Sequence, residues 1–522
     1  MIGAYLRKGA LTAAAVLALG CAGAVQQAGA DSPPDSYYLD CAHGDDGSSG
    51  KDPGHAWKTL DKASSVTFRP GDRLVLRRGT QCGGTLAPKG SGAPGRPITV
   101  GAYGTGAKPE IAASGAQAAV LLRDVQGWEL RDLDLSNHGG PPGPQDLRFG
   151  IYVVLTDFGT GSHYVVENVD VHDVNGCECQ NPHQKDPSGG IVFKAAGTRQ
   201  PTGFDDVVVQ HNALTRVDRQ AIGTSSDWER RAEYPDGRGA GYVPMTRVRV
   251  LDNRLTDIGG DGIGIYNAKN ARVERNVVRD YSMRTTQYSA GLFAYNSDGT
   301  VFRFNDVSSV PGSLPAQAFF FETANVGTVF EYNFSHGNSG GALAECNDPG
   351  ATSKGNVFRY NISQDDKGSG TFPWGDRISV INLFCGPVDG THVYGNTFYT
   401  PDAENVISQS GDPVLRFTDN VFVGRAAGSA INDTRGHYDH NLYYGVQSPP
   451  TGDSHAVTAD PRLLAPGTAN SPEAAGGLRL RAGSPALDAG TSVADNGGRD
   501  YFGNPIPPHT PNIGAYTGPG VR

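Results

Sequence analysis

VFRFN at positions 301–305 returns 28 residues later as VFEYN (329–333) and after 28 more as VFRYN (357–361). Each copy has an aromatic residue three positions before an asparagine, and looser copies extend the pattern in both directions. The ten apolar–asparagine pairs are Val165–Asn168, Val209–Asn212, Val250–Asn253, Val273–Asn276, Phe302–Asn305, Phe330–Asn333, Phe358–Asn361, Val393–Asn396, Phe417–Asn420 and Tyr438–Asn441. A long repeat with one residue type at one turn position predicts a solenoid.

The two fixed positions have different physical roles. We expect the apolar residue to point inward from a short strand, and the asparagine to satisfy turn groups on the coils above and below it. A small residue followed by an apolar one, as in Gly262-Ile263 and Ala318-Phe319, recurs between most asparagines and marks a second strand. The pattern predicts an all-β parallel β-helix of about 10–12 coils. A β-sandwich is the alternative, but its strands do not keep one residue type at one turn position.

Composition agrees with a turn-rich exported protein. The 522 residues include 72 Gly and 34 Pro, and the formal net charge is -10. Removal of an N-terminal segment that contains Arg7 and Lys8 would bring the net charge near -12. This negative charge argues against nucleic acid as a partner, although it allows a neutral or acidic glycan.

The N-terminus has the features of an export signal. Arg7 and Lys8 precede an apolar run at 10–20, and Ala28-Gly29-Ala30 matches a cleavage site. We predict cleavage after Ala30 and a secreted, extracellular monomer without a transmembrane segment in the mature chain. A lipid anchor at Cys21 is the alternative location.

The six cysteines that follow Cys21 form an even set, which in an exported protein predicts disulfides. Position along the chain predicts three pairs, namely Cys41–Cys82, Cys177–Cys179 and Cys346–Cys385. The first would lie in an N-terminal segment, the second in one loop and the third in successive coils. A zinc site is disfavoured because the sequence has no CxxC pair.

Both ends of the mature chain carry motifs of a known superfamily. Tyr37-Tyr38-Leu39-Asp40 and the later run 69–76 stand near the start, and Ser484–Gly490 and 512–516 stand near the end. These motifs resemble secreted right-handed parallel β-helix proteins of the pectate-lyase superfamily. The resemblance implies a right-handed solenoid at 97–445, an N-terminal cap at 31–96 with a helix of about ten residues around Leu60, and a closing segment at 446–522. That superfamily includes polysaccharide lyases, glycoside hydrolases and binding proteins, so its fold does not determine the chemistry.

One outward column of the predicted solenoid carries candidate catalytic residues. Numbering each strand from its small residue gives, at position four of successive coils, Lys194, Ser225, Tyr266, Tyr295, Glu322, Glu345 and Ile381. Neighbouring strands lie about 4.8 Å apart, so we expect Glu322 and Glu345 to be adjacent on the outer face. Two carboxylates about 5 Å apart suit a retaining glycosidase, and their repulsion would raise one pKa. Two exposed glutamates on a solvated sheet are the alternative.

Further residues could bind a substrate at the same face. These candidates are Tyr266, Tyr295, His336, Asp261, Asp376 and Lys194. By contrast, the alternating charges two residues before successive ladder asparagines predict a structural salt-bridge ladder. That ladder comprises Glu274, Arg303, Glu331 and Arg359.

The sequence therefore predicts a secreted enzyme that cleaves an extracellular polysaccharide, with a glycoside hydrolase using Glu322 and Glu345 as the first hypothesis. A lyase acting on a uronic-acid polymer through Lys194 and Arg219 is the second, and a non-catalytic carbohydrate-binding solenoid is the third. We expect no cofactor, with Ca²⁺ a ligand only if the protein is a lyase. The metal-binding residues are undetermined, although Asp45 and its neighbours resemble a calcium loop without matching a firm motif.

Overall fold

Strands dominate the computed structural model, which describes residues 33–178 and 188–522. The predicted export signal, Cys21 and Cys179 lie outside these described residues. The regular helices are short: an α-helix at Leu60–Ser65 and 3-10 helices at Pro53–His55 and Pro472–Leu478. In the part of the chain described, no helix has the length and apolar character needed to cross a membrane.

The strands form three long sheets in which chain order equals spatial order. The first sheet comprises Ser36–Leu39, Arg73–Arg77, Ile98–Tyr103, Trp128–Arg131, Thr160–Glu167, Gly203–Gln210, Met245–Leu251, Arg272–Glu274, Val301–Arg303, Val329–Glu331, Val357–Arg359, His392–Tyr394, Arg416–Thr418 and His437–Asp439, with Ala268–Lys269 beside Met245–Leu251. The second comprises Gln81–Gly83, Glu110–Ala112, Asp134–Asn137, Asp170–Val174, Ala213–Val217, Arg254–Ile258, Val277–Arg279, Asp306–Ser308, Phe334–His336, Ile362–Gln364, Thr397–Tyr399, Val421–Val423 and Leu442–Tyr444.

The third sheet comprises Ala118–Arg123, Phe149–Thr156, Gly189–Ala196, Gln220–Ser226, Ile263–Tyr266, Ser289–Tyr295, Ala316–Phe321, Gly341–Glu345, Ile381–Leu383, Asn405–Gln409 and Ala430–Asn432. A small two-stranded sheet pairs Ser353–Lys354 with Val388–Asp389. Neighbouring strands in the long sheets pair in parallel. Each coil thus adds one strand to each sheet, and the predicted parallel β-helix is confirmed.

Equivalent apolar side chains stack inside the solenoid. Val273 pairs with Phe302, Phe302 with Phe330, and Phe330 with Phe358 in register. The Phe302 and Phe330 rings stack with centroids 4.3 Å apart. Because every coil covers the apolar surface of its neighbour, the core is continuous along the axis.

The asparagines form the predicted ladder. In Asn333, the backbone N–H and Nδ2 both donate to Oδ1 of Asn361, at 2.9 Å each, and Nδ2 also donates to the carbonyl of Phe302 at 2.9 Å. The same asparagine-to-asparagine bonds link Asn212, Asn253, Asn276, Asn305, Asn333, Asn361, Asn396, Asn420 and Asn441. The ladder prediction is wrong only for Asn168, which is exposed one position before the ladder site taken by Val169.

The N-terminal segment closes one end of the core. Thr59 caps the helix by accepting from the Lys62 N–H at 3.1 Å, and Leu60 and Ala63 are buried. This helix stands where the resemblance placed it but has six residues, not about ten. The preceding acidic loop has local bonding partners: Asp46, for example, accepts from the Lys58 and Thr59 N–H groups.

Two predicted disulfides are present, Cys41–Cys82 and Cys346–Cys385. The first joins the N-terminal segment to the second sheet, and the second joins successive coils. The third predicted pair includes Cys179, outside the described residues, and stays a prediction.

The charged column on the first sheet is the predicted structural ladder. Arg303 contacts Glu274 at 2.9 Å, and Arg359 contacts Glu331 at 2.6 Å. The register pairs these residues on successive coils. Each of these charged side chains therefore forms an ion pair with an oppositely charged side chain on a neighbouring strand.

Glu345 does not lie beside Glu322 on the outer face, so that prediction is wrong. In the register Leu343 pairs with Phe319, and Glu345 pairs with Phe321. Phe319 and Phe321 are both core residues. The small–apolar pair of this coil is thus Ala342-Leu343, not Gly341-Ala342. A shift of one residue moves every side chain of a strand to the opposite face. The larger Leu343 takes the core position, and the Glu345 side chain follows it inside.

Glu345 is therefore a carboxyl group enclosed in the solenoid, with 0% exposure. Its Oε1 accepts from Thr391 Oγ1 at 2.9 Å and Asn356 Nδ2 at 3.4 Å. Burial raises the pKa of Glu345 to about 8, although these two hydrogen bonds oppose the rise. The folded protein thus favours the neutral acid at pH 7.

We expect Asn333→Ala to lower the free energy of unfolding by about 1–3 kcal/mol, because buried turn groups on two coils lose their partners. Asn432→Ala is the matched control, since Asn432 is exposed in the last strand of the third sheet. Chemical denaturation of both variants measures the difference. Equal stability of the two variants would contradict the role of the ladder.

We expect Glu345→Gln to stabilise the protein more at pH 8 than at pH 4.5. The pKa of Glu345 is raised from 4.5 to about 8 on folding, so between these values the folded state binds more protons than the unfolded chain. The free energy of unfolding of the wild type therefore falls as pH rises through this window. Glutamine keeps an acceptor for Thr391 but cannot ionise, so the variant does not lose this stability as the pH rises.

Calorimetric melting at both pH values measures this effect, and a melting-temperature gain larger by about 1–3 °C at pH 8 is expected. A gain that is the same at both pH values would show that Glu345 is ionised in the folded protein.

Candidate functional site

The outer face of the third sheet carries the column predicted from the sequence as far as Glu322. Tyr266 pairs with Tyr295 on the next coil. The Glu322 N–H donates to the Ala294 carbonyl at 3.1 Å, which places Glu322 beside Tyr295. The column then continues with Cys346, whose N–H donates to the Phe321 carbonyl at 3.1 Å.

Asp261 lies on the same face, just before the strand Ile263–Tyr266. Its Oδ2 is 2.8 Å from Arg219 Nη1, and its Oδ1 accepts from the Ala290 N–H at 2.9 Å. Gly260 permits this arrangement, because a Cβ there would stand 2.4 Å from Arg219 Nη1. Burial raises the pKa of Asp261, and the neighbouring Arg219 charge only partly opposes that rise.

The charges of three carboxylates meet at Arg219. Burial lowers the pKa of its guanidinium, but Asp261, Glu178 and Glu322 outweigh that effect and the pKa is raised. Glu178 comes from the loop after the strand Asp170–Val174 and accepts from Thr285 Oγ1 at 3.0 Å. The guanidinium and the three carboxylates therefore come from loops and strands of several coils and lie near one another.

The charges of Asp261 and Glu322 both affect two phenols. Burial raises the pKa of Tyr266 well above its ordinary value, and the charges of Glu322 and Asp261 raise it further. Burial also raises the pKa of Tyr288, and the charges of Glu322 and Asp261 raise it further. Both phenols thus stay protonated, and the Tyr288 hydroxyl donates its hydrogen bond to Gln317 Oε1 at 3.1 Å.

The floor of this cleft is polar because two glycines leave room for the side chain of Gln220. A Cβ at Gly223 or Gly264 would stand 2.0 Å or 2.1 Å from the amide of Gln220. Gln220 is fully buried, and among the described residues neither of its amide atoms has a hydrogen-bond partner. A neighbouring amide, Gln317, accepts from Asn382 Nδ2 at 2.9 Å and Tyr288 OH at 3.1 Å.

An aromatic wall stands beside the cleft. Trp374 is 49% exposed and stacks on Phe372 with centroids 4.8 Å apart and planes 9° apart. Tyr288 lies 5.8 Å from both rings and 5.3 Å from Phe320. Asp376 belongs to the same loop as Trp374 and is half-buried.

We call this region the third-sheet cleft; it is defined by Arg219, Gln220, Asp261, Tyr266, Tyr288, Gln317, Glu322, Trp374 and Asn382. Five residues of the cleft were not predicted from the sequence, namely Gln220, Tyr288, Gln317, Trp374 and Asn382. The Pro373-Trp374-Gly375 turn was the one usable signal, because turn residues on both sides indicate an exposed tryptophan. Tyr288 and the two glutamines have no comparable signal, since only the stacking of coils brings them to Asp261.

Other predicted substrate-binding residues have different surroundings. Tyr295 is 0% exposed. Its hydroxyl donates to Tyr234 OH at 2.7 Å, and Tyr234 belongs to the loop before the strand Met245–Leu251. Lys194 is buried and its Nζ donates to Asp227 at 2.6 Å. Neither side chain is open to a ligand.

The prediction that His336 lies at this face is wrong. His336 ends the strand Phe334–His336 of the second sheet, where Nε2 is 3.6 Å from Asp306. The loop position inferred for it is a strand position, and its ring stacks on Phe334. Because His336 belongs to the second sheet, its side chain does not lie at the third-sheet cleft.

Comparison with known proteins supports the fold. A lacto-N-biosidase of Bifidobacterium longum subsp. longum is 25% identical over 599 aligned positions, which cover 92% of this chain and 36% of that protein. The chain therefore spans about a third of that relative. No protein-family model matches the chain.

Solved structures are similar as well. The crystal structure of GH136 lacto-N-biosidase from Eubacterium ramulus matches with a TM-score of 0.58 and 23% identity, over 78% of this chain and 67% of that one. XylC in complex with xylose matches with a TM-score of 0.53 and 10% identity, over 93% of this chain and 99% of that one. At these identities the likenesses establish the parallel β-helix fold of this chain and leave its chemistry to the residues of the third-sheet cleft.

Proposed function

We propose that this chain is a secreted glycoside hydrolase whose catalytic carboxyl groups are Asp261 and Glu322. The observation that carries the proposal is the placement of both groups on the third sheet: Asp261 lies just before the strand Ile263–Tyr266, and Glu322 lies beside Tyr295, which pairs with Tyr266. In agreement with this placement, the charges of both groups raise the pKa of Tyr266 and Tyr288. Glycoside hydrolysis uses two carboxyl groups on either side of the scissile bond. Asp261 replaces the enclosed Glu345 as partner of Glu322.

The surroundings of the two acids fit that chemistry. Burial raises the pKa of Asp261, which is the direction of shift that a general acid requires. The protonated Tyr266 phenol can donate a hydrogen bond to a sugar hydroxyl or to a leaving oxygen, and the Tyr288 oxygen can accept one from a sugar hydroxyl. Gln220 offers a buried donor and acceptor at the floor, and such groups orient a polar ligand at low cost.

The aromatic wall supports a carbohydrate ligand. Trp374 presents an open ring that Phe372 holds in place, and a sugar face has C–H groups that pack on such a ring. The wall adjoins Tyr288, so a sugar on Trp374 would lie beside a phenol whose pKa the charges of both acids raise.

The substrate class follows from the relatives and the charge of the cleft. The relative from Bifidobacterium longum and the structure from Eubacterium ramulus are named lacto-N-biosidases, and we propose a glycosidase activity of the same type here. A uronic-acid polymer is less suited to the cleft, because the Arg219 and Lys194 charges predicted to bind uronates each face an aspartate.

The lyase is the second candidate, because Arg219 lies in the cleft, although its charge is paired with Asp261. A chromogenic aryl lacto-N-bioside and a panel of polysaccharides test both functions with the purified full chain. Released aryl alcohol or new reducing ends support the hydrolase. An unsaturated uronate product would support the lyase, and binding without products would support the non-catalytic hypothesis.

Secretion and a monomeric state remain part of the proposal. The disulfides Cys41–Cys82 and Cys346–Cys385 are suited to an oxidising compartment. N-terminal sequencing of the exported protein would test cleavage after Ala30 against lipid attachment at Cys21, and light scattering would test the monomer.

We expect Asp261→Asn and Glu322→Gln each to lower kcat at least about a hundredfold, because each removes a carboxyl group needed in the transition state. Glu345→Gln is the matched control and should keep near wild-type kcat, since Glu345 lies inside the solenoid. Steady-state kinetics with folded variants measures the contrast. Loss of activity in Glu322→Gln and Glu345→Gln, but not in Asp261→Asn, would return the mechanism to the original pair.

Azide rescue assigns the two roles. If the enzyme retains configuration, the acid/base variant should regain activity with azide on a substrate whose leaving group needs no protonation, whereas the nucleophile variant should form a glycosyl azide of inverted configuration. Equal behaviour of both variants without azide products would indicate an inverting reaction.

We expect Trp374→Ala to raise KM about tenfold, equivalent to about 1.4 kcal/mol, with little change in kcat. The reason is that Trp374 contacts the sugar but not the reacting bond. Tyr444→Ala is the control, because Tyr444 is an aromatic residue with 46% exposure on the second sheet. An unchanged KM in Trp374→Ala would remove the aromatic wall from substrate binding.

A further inference from the structure

The asparagine ladder ends where the closing segment docks on the last coil. Asp453 Oδ2 accepts from the Asn441 N–H at 3.1 Å and from Asn441 Nδ2 at 3.0 Å. Val457 in turn donates its N–H to the Asn441 carbonyl at 3.0 Å. An aspartate thus takes the place of the next asparagine, and the segment from Asp453 to Val457 is held against the coil.

Three possible metal ligands meet at this junction. Asp439 ends the last strand of the first sheet, His440 occupies the turn before Asn441, and His455 comes from the docked segment. Asp439 Oδ1 is 2.9 Å from His440 Nδ1 and 2.8 Å from His455 Nδ1. The two imidazole rings stack with centroids 4.1 Å apart, and the three ligand atoms lie within 4.8 Å of one another.

The contact between Asp439 and His440 is close but lacks hydrogen-bond geometry. His440 Nδ1 is buried from solvent and has no hydrogen-bond partner among the described residues, although the carboxylate oxygen is 2.9 Å away. A nitrogen lone pair and a carboxylate oxygen at this separation, but not directed at each other, can both be directed at a third atom. A cation bound between them would satisfy both.

We propose that Asp439, His440 and His455 bind a Zn²⁺ ion that links the closing segment to the last coil. Two imidazole nitrogens and one carboxylate oxygen are a ligand set that zinc accepts, whereas Ca²⁺ and Mg²⁺ prefer oxygen ligands alone. Metal–ligand bonds of about 2.1 Å give ligand separations of about 3.4 Å. The side chains would therefore need to part by about half an ångström, and water would complete the coordination.

The position of the site suggests a structural role. Its ligands belong to the first sheet and the closing segment, whereas the third-sheet cleft lies on another sheet of the solenoid. An ion there would fasten the segment that carries Asp453, the last acceptor of the ladder. Zinc binding would thus stabilise the end of the solenoid without taking part in catalysis.

Isothermal titration of the untagged full chain with Zn²⁺ at pH 7.5 tests the proposal. We expect one ion per chain and at least a tenfold weaker affinity in each of His440→Ala and His455→Ala. His55→Ala is the control, because His55 forms an exposed pair with Asp52 at 3.0 Å that has no second histidine. Ca²⁺ in the same experiment should give no binding at these residues.

Melting curves give a second measurement. Zn²⁺ should raise the melting temperature of the wild type and of His55→Ala, but not that of His455→Ala, whose exposed side chain can be removed without disturbing the core. Absence of Zn²⁺ binding to the wild type, or binding unaffected by both ligand substitutions, would overturn the proposal and leave the three residues as an ion-free hydrogen-bonded group.

Discussion

The hydrogen bonds of the asparagine ladder are the constraint on which the solenoid depends. Each buried turn places a backbone N–H and a carbonyl where water cannot reach them, and a buried unpaired group costs about 1–3 kcal/mol. The amide of each asparagine supplies both a donor and an acceptor, so Asn305, Asn333 and Asn361 satisfy the turns of neighbouring coils. This requirement keeps one residue type at one position and holds the strands of all coils in register.

Register then decides which side chains reach the outside. Along each strand of the third sheet the faces alternate, so the identity of the first core residue determines the rest. In the coil of Glu345, Ala342 and Leu343 are both compatible with the core, and the larger side chain occupies it. The result is a buried acid where an exposed catalytic group was expected, while Glu322 on the preceding coil stays outside.

The third-sheet cleft depends on loops as much as on strands. Asp261 precedes a strand, Tyr288 ends a loop, and Trp374 belongs to a longer connection. The rigid stack of coils brings these segments together, so residues more than a hundred positions apart share one electrostatic environment. A solenoid offers this arrangement readily, because insertions between strands do not disturb the repeat.

The sequence by itself determined the repeat, the asparagine ladder, the parallel β-helix and the salt-bridge column, because each depends on a residue type that recurs at fixed spacing. It also predicted two disulfides from the order of the cysteines along the chain. It also indicated Glu322, Asp261 and Tyr266, whose positions follow from that spacing. Only the tertiary structure decided that Glu345 points inward, that Tyr295 is covered and that His336 lies on the second sheet. Those outcomes depend on which of two neighbouring side chains fills the core and on how the loops fold over the coils, and neither is encoded in the local pattern.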